Sequence, residues 1–235
     1  MAGVRPTLVL LPGMDGTGAL FEPLIVELGD AVKVVRVQYP PDQPLGYNAL
    51  SAIASQALPA GERFVLLGES FSGPIAITLA AQAPDGLAGL ILCCSFARNP
   101  RPGLRALARI AGLLPPRLLP DALLRYCLLG RFSTPALVAM LRNALRGVSA
   151  AVLAGRMQAV MEVDVTAALR AVRVPILDLR ATHDALVPSA SAALVAATAA
   201  QVRVQVIDGP HCLLQASPRA AASAVRELLM ATARR

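Results

Sequence analysis

The chain contains no tryptophan, and aromatic side chains make up only 3% of its 235 residues. Nucleic-acid bases therefore find little to stack on, and no nucleic-acid-binding motif is present. Charged residues are also scarce, at 16%, whereas hydrophobic residues reach 55%. This balance excludes a disordered chain and indicates strands that are buried on both faces. We expect no nucleic-acid partner, despite a net charge of +7.

Long apolar runs suited to a membrane span are missing as well. The longest uncharged candidate, Ala185 to Val202, is interrupted by Pro188 and diluted by Ser, Thr, Ala and Gln. Near the N-terminus, the apolar run Thr7 to Leu11 ends at Pro12-Gly13, which makes it too short for a signal peptide. We predict a cytoplasmic protein without a membrane span.

Cysteine is infrequent, and its spacing matches no metal site. The four residues are Cys93, Cys94, Cys127 and Cys212, of which the first two are neighbours. In a cytosolic chain such cysteines are most simply buried thiols. We expect neither a metal nor an organic cofactor.

What the chain does contain is an alternation of short apolar runs with longer helical stretches. This pattern is typical of a parallel sheet covered by helices, the α/β class. The predicted strands lie at about 7–11, 32–37, 64–67, 86–94, 176–179 and 202–207. Helices are predicted at about 20–28, 49–58, 70–83, 189–200 and from 218 onwards.

Between the fourth and fifth strands, residues 99–170 show helical but no strand periodicity. Leu104, Leu107, Ala108, Ala111 and Leu114 form one helical stripe, which Pro115-Pro116 ends. Further helices are predicted at about 121–129, 134–145 and 150–161. We interpret 99–170 as a helical cap inserted into a single domain that spans 1–235.

The sequence from Phe64 to Gly73 combines a strand, a sharp turn and the start of a helix, with Ser70 at the turn. In a nucleophile elbow, such a turn pushes the serine hydroxyl out above the sheet, and its crowding demands small flanking residues. The helix N-terminus favours developing negative charge there. The alternative is an ordinary strand–helix turn with a capping serine.

Here the chain resembles the α/β-hydrolase superfamily over nearly everything except the insert. The family pattern is Gly-x-Ser-x-Gly, whereas this chain has Gly68-Glu69-Ser70-Phe71-Ser72, with Gly73 following. The resemblance implies a doubly wound, mostly parallel sheet of about six strands. It also implies that a catalytic acid and then a histidine follow the nucleophile along the chain.

The resemblance points to His211 as the general base, because it follows the last predicted strand. His183 is the only other histidine, and we interpret it as a loop residue. Without the family pattern, His211 would be a loop histidine with a structural hydrogen bond.

Asp184 follows the fifth strand and resembles the catalytic acid of the family in its position. Asp178 competes with it but lies within that strand, and Asp208 is too near His211 in sequence. Some relatives carry the acid after the strand that precedes the insert, but no carboxylate occurs here between Asp85 and Asp121.

The resemblance also implies an oxyanion hole made by the backbone N–H groups of Phe71 and Met14. Met14 lies in Leu11-Pro12-Gly13-Met14-Asp15-Gly16-Thr17-Gly18, where many relatives carry His-Gly in place of Pro12-Gly13. The alternative is an ordinary glycine-rich turn, which Asp15 would order. The segment matches neither a phosphate-binding loop nor a dinucleotide fingerprint.

The insert is rich in arginine. From Arg98 to Arg156 there are ten arginines and one acid, Asp121, and Lys33 is the only lysine of the chain. Arg101, Arg105 and Arg109 recur every four residues. This spacing suits either a docking face for an acidic partner, such as an acyl carrier protein, a coenzyme-A thioester or an anionic lipid surface, or a plain solvated face.

Together these features predict a serine hydrolase that cleaves carboxylic esters or thioesters of small molecules through an acyl-enzyme. Two alternatives stay open. One is an acyltransferase with the same Ser-Asp-His triad, and the other is a binding protein that keeps the fold without hydrolysis.

Overall fold

Six parallel strands form one sheet, in the order β2-β1-β3-β4-β5-β6, in the computed structural model, which describes residues 5–104 and 121–233. The strands are β1 (Thr7–Leu11), β2 (Lys33–Arg36), β3 (Phe64–Glu69), β4 (Leu87–Cys93), β5 (Ile176–His183) and β6 (Val202–Pro210). The predicted α/β class and the six-stranded sheet are confirmed. Leu11 pairs with Gly68, and Gly68 with Leu92, so the carboxyl ends of three central strands meet at one edge.

Helices cover both faces of the sheet, as the doubly wound prediction requires. Leu8 and Leu10 of β1 pack in one hydrophobic cluster with α1 (Glu22–Leu28), α9 (Leu213–Ala216) and α10 (Pro218–Ala233). Val9 and Leu11 pack in the other, with α2 (Tyr47–Gln56), α3 (Gly73–Ala81), α7 (Thr166–Ala171) and α8 (Ser189–Thr198). Successive strand residues point to opposite faces, so an unbroken apolar run supplies both cores.

Residues 99–170, called the cap segment below, contain no strand in their described part. Their helices are α4 (Asp121–Leu124), a π-helical stretch (Arg125–Leu129), α5 (Pro135–Arg146), α6 (Ala150–Glu162) and most of α7. Thr134 and Ser149 cap α5 and α6 through their hydroxyls. The predicted stripe from 104 to 114 and Pro115-Pro116 lie outside the described residues, apart from the backbone of Leu104.

The structure extends two predicted strands at their carboxyl ends. β5 continues to His183 and β6 to Pro210, because Ala181 still pairs with Ile207 and His183 with Pro210. The polar residues there made both ends look like loops. Within the described chain no single helix is long and apolar enough to cross a membrane, and only the bent pair α5–α6 passes on length and composition. All four cysteines are free thiols.

Candidate active site

Ser70 occupies a strained turn at the carboxyl end of β3. Its φ is +48°, which a non-glycine residue rarely adopts, and a 3-10 turn (Ser70–Ser72) links it to α3. A Cβ on Gly68 would lie 2.7 Å from the Ser72 carbonyl oxygen, and one on Gly73 would overlap Ser95 Oγ. The glycines therefore let the backbone fold tightly enough to present the Ser70 hydroxyl.

Ser72 stands where the family pattern has glycine, and its side chain forms two hydrogen bonds. Its Oγ donates to the Pro12 carbonyl oxygen and forms a 2.9 Å hydrogen bond with the Tyr39 hydroxyl. The hydroxyl thus ties the elbow to the loop after β1. The missing side chain that the turn requires is instead that of Gly73, where a Cβ would overlap Ser95 Oγ.

The structure brings Ser70, His211 and Asp184 into one hydrogen-bonded chain. Ser70 Oγ lies 2.9 Å from His211 Nε2, and His211 Nδ1 lies 2.9 Å from both carboxylate oxygens of Asp184. His211 is 6% exposed and directly follows β6. The three side chains come from the ends of β3, β5 and β6, which the parallel sheet gathers at one edge.

Asp184 is held as a carboxylate by its surroundings. Burial alone raises the pKa of Asp184, but hydrogen bonding and charge from His211, with the N–H groups of Val187 and Leu186, bring it below its usual value. Those two N–H groups donate to Oδ1 at 2.8 and 2.9 Å. The loop after β5 therefore fixes both the charge and the direction of this carboxylate.

The two competing carboxylates lie elsewhere. Asp178 is buried within β5 and forms an ion pair with Arg180, whose Nε lies 2.8 Å from Oδ1. Asp208 is exposed and accepts hydrogen bonds from Arg131. His183 Nε2 lies 3.5 Å from Asp208 Oδ1 and faces solvent.

The loop after β1 starts beside the elbow, since Leu11 pairs with Gly68. The Gly13 carbonyl accepts from the Gly16 N–H at 3.1 Å, and Asp15 accepts from the N–H and hydroxyl of Thr17. Asp15 thus orders the turn. Because the Gly13–Met14 peptide is trans, its N–H points away from the turn that its carbonyl closes. The other predicted donor, Phe71, is buried directly after Ser70.

A model of the alpha/beta hydrolase family matches residues 8–224. The chain belongs to the alpha/beta hydrolase family. Among curated proteins, it is similar to the biotin biosynthesis bifunctional protein BioHC of Cellvibrio japonicus, with 29% identity over 95% of this chain. The match covers 47% of that protein, so the chain spans about half the length of this relative.

Solved structures of similar fold include an enol-lactonase and an esterase. The enol-lactonase from Burkholderia xenovorans has a TM-score of 0.82 at 20% identity, covering 97% of this chain and 92% of its own. The thermophilic esterase from Thermogutta terrifontis has a TM-score of 0.80 at 24% identity, covering 98% and 91%. At these identities the likeness establishes the fold.

In this alpha/beta hydrolase, Glu69 and Gln215 lie behind the elbow, and neither was predicted to belong to the site. Glu69 is 6% exposed and accepts from Gln215 Nε2 at 2.9 Å. Burial raises its pKa to about 7, against the hydrogen bonds from Gln215 and the Gly13 N–H; nearby Asp15 adds to the rise, and His211 opposes it. Glu69 fills a variable position of the motif, so the sequence carried no signal for this role.

Arg156 of α6 is a second unpredicted neighbour of the site. It is fully buried and donates to the carbonyl oxygens of Met14 and Pro40. Apart from Glu162 at the C-terminal end, Arg156 is the one charged residue of α6, and this was the available signal. Of the predicted docking arginines, Arg101 donates to the carbonyls of Leu186 and Ala185, while Arg105 and Arg109 lie outside the described residues.

An open groove of about 460 Å³ lies between α5 and the loop after β1. Thr17 and Ala19 line one side, and Ala139, Met140 and Asn143 line the other; Ser70 and His211 do not line it. In the described part of the chain, no three His, Cys, Asp or Glu side chains converge as metal ligands.

Proposed function

We propose that the protein is a serine hydrolase that cleaves carboxylic esters or thioesters of small molecules through an acyl-enzyme. The observation that carries this proposal is the hydrogen-bonded chain from Ser70 through His211 to Asp184. In this chain His211, the general base, lies within hydrogen-bonding distance of the nucleophile Ser70, and the Asp184 carboxylate bonds to the other ring nitrogen.

In the first half-reaction, Ser70 Oγ attacks the ester carbonyl while His211 Nε2 takes the hydroxyl proton. The carbonyl oxygen becomes an oxyanion, for which the N–H groups of Met14 and Phe71 are the proposed donors. When the tetrahedral intermediate collapses, the bond to the alcohol or thiol breaks, and His211 returns the proton to that leaving group. Asp184 keeps His211 Nδ1 protonated and stabilises the imidazolium.

In the second half-reaction, water replaces the alcohol. His211 takes a proton from the water, the resulting hydroxide attacks the acyl carbon, and Ser70 leaves with the proton from His211. The carboxylic acid departs, and the site returns to its starting state. The structures of similar fold include an esterase and an enol-lactonase, which supports this proposal.

The test is hydrolysis of p-nitrophenyl esters with two to sixteen acyl carbons by wild type, Ser70→Ala and Ser55→Ala. Ser55 is an exposed serine of α2 and serves as the matched control. We expect Ser70→Ala to lower kcat by at least about 10³-fold and Ser55→Ala to leave it unchanged. A fluorophosphonate should label wild type and Ser55→Ala but not Ser70→Ala.

Other outcomes assign the protein differently. If wild type is labelled but transfers acyl groups to an added alcohol faster than to water, the acyltransferase alternative replaces the hydrolase. If wild type is neither labelled nor active on any ester, the binding-protein alternative stands and the proposed function is wrong.

A further inference from the structure

Arg156 is a buried cation that forms no ion pair with a carboxylate in the described part of the chain. Its side chain is 0% exposed, and burial lowers its pKa, an effect that the charge of Asp15 opposes. The guanidinium donates to two backbone carbonyls, at 2.9 Å (Met14) and 3.1 Å (Pro40), and Nε has no hydrogen-bond partner among the described residues. An apolar side chain would fill this volume at a lower desolvation cost. What the guanidinium alone provides is a pair of donors in a fixed plane.

The loop after β1 is shaped around this guanidinium. Gly16 has a φ of +72°, and a Cβ there would lie 2.5 Å from Nη1 and 2.8 Å from Nη2 of Arg156. The guanidinium carbon lies 5.7 Å from the centre of the Tyr39 ring, whose hydroxyl bonds to Ser72 of the elbow. Loop, ring and guanidinium therefore pack as one unit.

Helix α6, which carries Arg156, is itself anchored to the segment next to Pro40. The N–H of its cap residue Ser149 donates to the Pro41 carbonyl at 2.9 Å. A Cβ on Gly155 would lie 3.3 Å from Pro44 Cβ, so the helix approaches this segment closely. The position of the guanidinium is thus set by the cap segment.

Both peptide groups that flank Met14 are held by donors. The carbonyl of Gly13 is fixed by the Gly16 N–H, and that of Met14 by Arg156. The Met14 N–H lies in the plane of the Gly13–Met14 peptide, which the Gly16 contact holds, and Arg156 holds the peptide plane that follows, so the two contacts together restrict rotation of the Met14 backbone. We propose that Arg156 is a positioning residue, through which the cap segment holds the Met14 N–H in place to receive the oxyanion. This inference rests on the proposed function, which makes Met14 an oxyanion donor.

The experiment compares Arg156→Met, Arg156→Lys and Arg156→Ala with wild type and with Arg146→Met. Arg146 is an exposed arginine of α5 and controls for loss of one cap charge. We expect Arg156→Met to lower kcat by about 10- to 100-fold with little change in KM, because the donor is misdirected in the transition state and the substrate is still bound. Arg156→Lys, with a single ammonium, should recover only part of that loss.

Two further readouts separate positioning from general support of the fold. An aryl trifluoromethyl ketone forms an adduct whose oxyanion needs the same donors, so its affinity should fall in parallel with kcat/KM. Guanidinium chloride, far below denaturing concentrations, should restore kcat of Arg156→Ala by occupying the vacated space.

Equal kcat in Arg156→Met and wild type would overturn the inference, as would a loss of kcat with unchanged ketone affinity and no guanidinium rescue. Fluorophosphonate labelling of wild type distinguishes this failure from that of the proposed function. If wild type is labelled and turns over esters while Arg156→Met matches it, the hydrolase stands and the positioning role falls.

Discussion

Asp178 and Asp184 lie six residues apart around the end of β5, yet their surroundings give them different chemistry. Asp184 accepts from His211 and from two backbone N–H groups, which hold its pKa below the usual value. Asp178 faces the interior beside Arg180; burial raises its pKa, and Arg180 opposes that rise. Of the two, Asp184 is the one that contacts His211.

Replacing each aspartate by asparagine separates these roles. We expect Asp184→Asn to lower kcat by about 10³- to 10⁴-fold, because the amide no longer holds Nδ1 protonated or stabilises the imidazolium. Asp178→Asn should leave kcat within a few-fold while destabilising the fold by roughly 3 kcal/mol, since Arg180 loses its buried partner. Ester kinetics and urea unfolding of both variants check this. If Asp178→Asn lost more kcat than Asp184→Asn, Asp178 and not Asp184 would be the catalytic acid.

Glu69 makes the stability of the fold depend on pH near neutrality. Its pKa rises from 4.5 to about 7 on folding, so between these pH values the native state binds a proton that the unfolded state has released. Stability must therefore fall as the pH rises through this window, by up to about 3 kcal/mol for this group.

Glu69→Gln cannot ionise and should lose this dependence. We expect its Tm relative to wild type to increase between pH 5 and pH 8, whatever the difference at pH 5. Glu227→Gln, at an exposed position of α10, is the control and should show no such trend. A Tm difference that stays constant over this range would show that Glu69 is already ionised at pH 5.

At the scale of elements, the central strands could be predicted because their burial on both faces is visible in a few consecutive residues. β1 is buried along its whole length, and five consecutive apolar or small residues bounded by proline identify it. The polar ends of β5 and β6 were not predictable, because their pairing depends on each other and not on their own sequence. The order of Ser70, Asp184 and His211 was available from the family pattern, whereas their 2.9 Å contacts required the fold.

In the cap segment, too, some features could be predicted from the local sequence and others could not. Helical periodicity predicted α5 and α6, and their N-caps Thr134 and Ser149 lie where the chain offers hydroxyls. The targets of its arginines could not be predicted, because long side chains reach in many directions. Three of them contact segments next to the site. Arg156 binds the Met14 carbonyl, Arg101 binds the loop after Asp184, and Arg131 binds Asp208 in β6, shortly before His211. Part of the arginine excess thus serves contacts within the chain, while an acidic partner stays a prediction.

At the scale of the whole molecule, the sheet order places β2 and β6 at the two edges of the described sheet. β2 is short and carries Lys33 and Arg36, which discourage pairing with another chain. β6 is nine residues long, and Val204 and Val206 are 43% and 61% exposed. The second edge is therefore the less protected one.

Amide hydrogen exchange tests how this edge behaves in solution. We expect the amides of β1, β3 and β4 to exchange only by global unfolding, since both neighbours and both faces are covered. In β6, the amides that bond to β5 should be protected, and the alternate, outward-pointing ones should exchange faster by several orders of magnitude, because water reaches them directly. If every β6 amide is slow, the edge is covered in solution. Measuring exchange at several protein concentrations then identifies what covers the edge. Protection that falls on dilution identifies a second copy paired along β6.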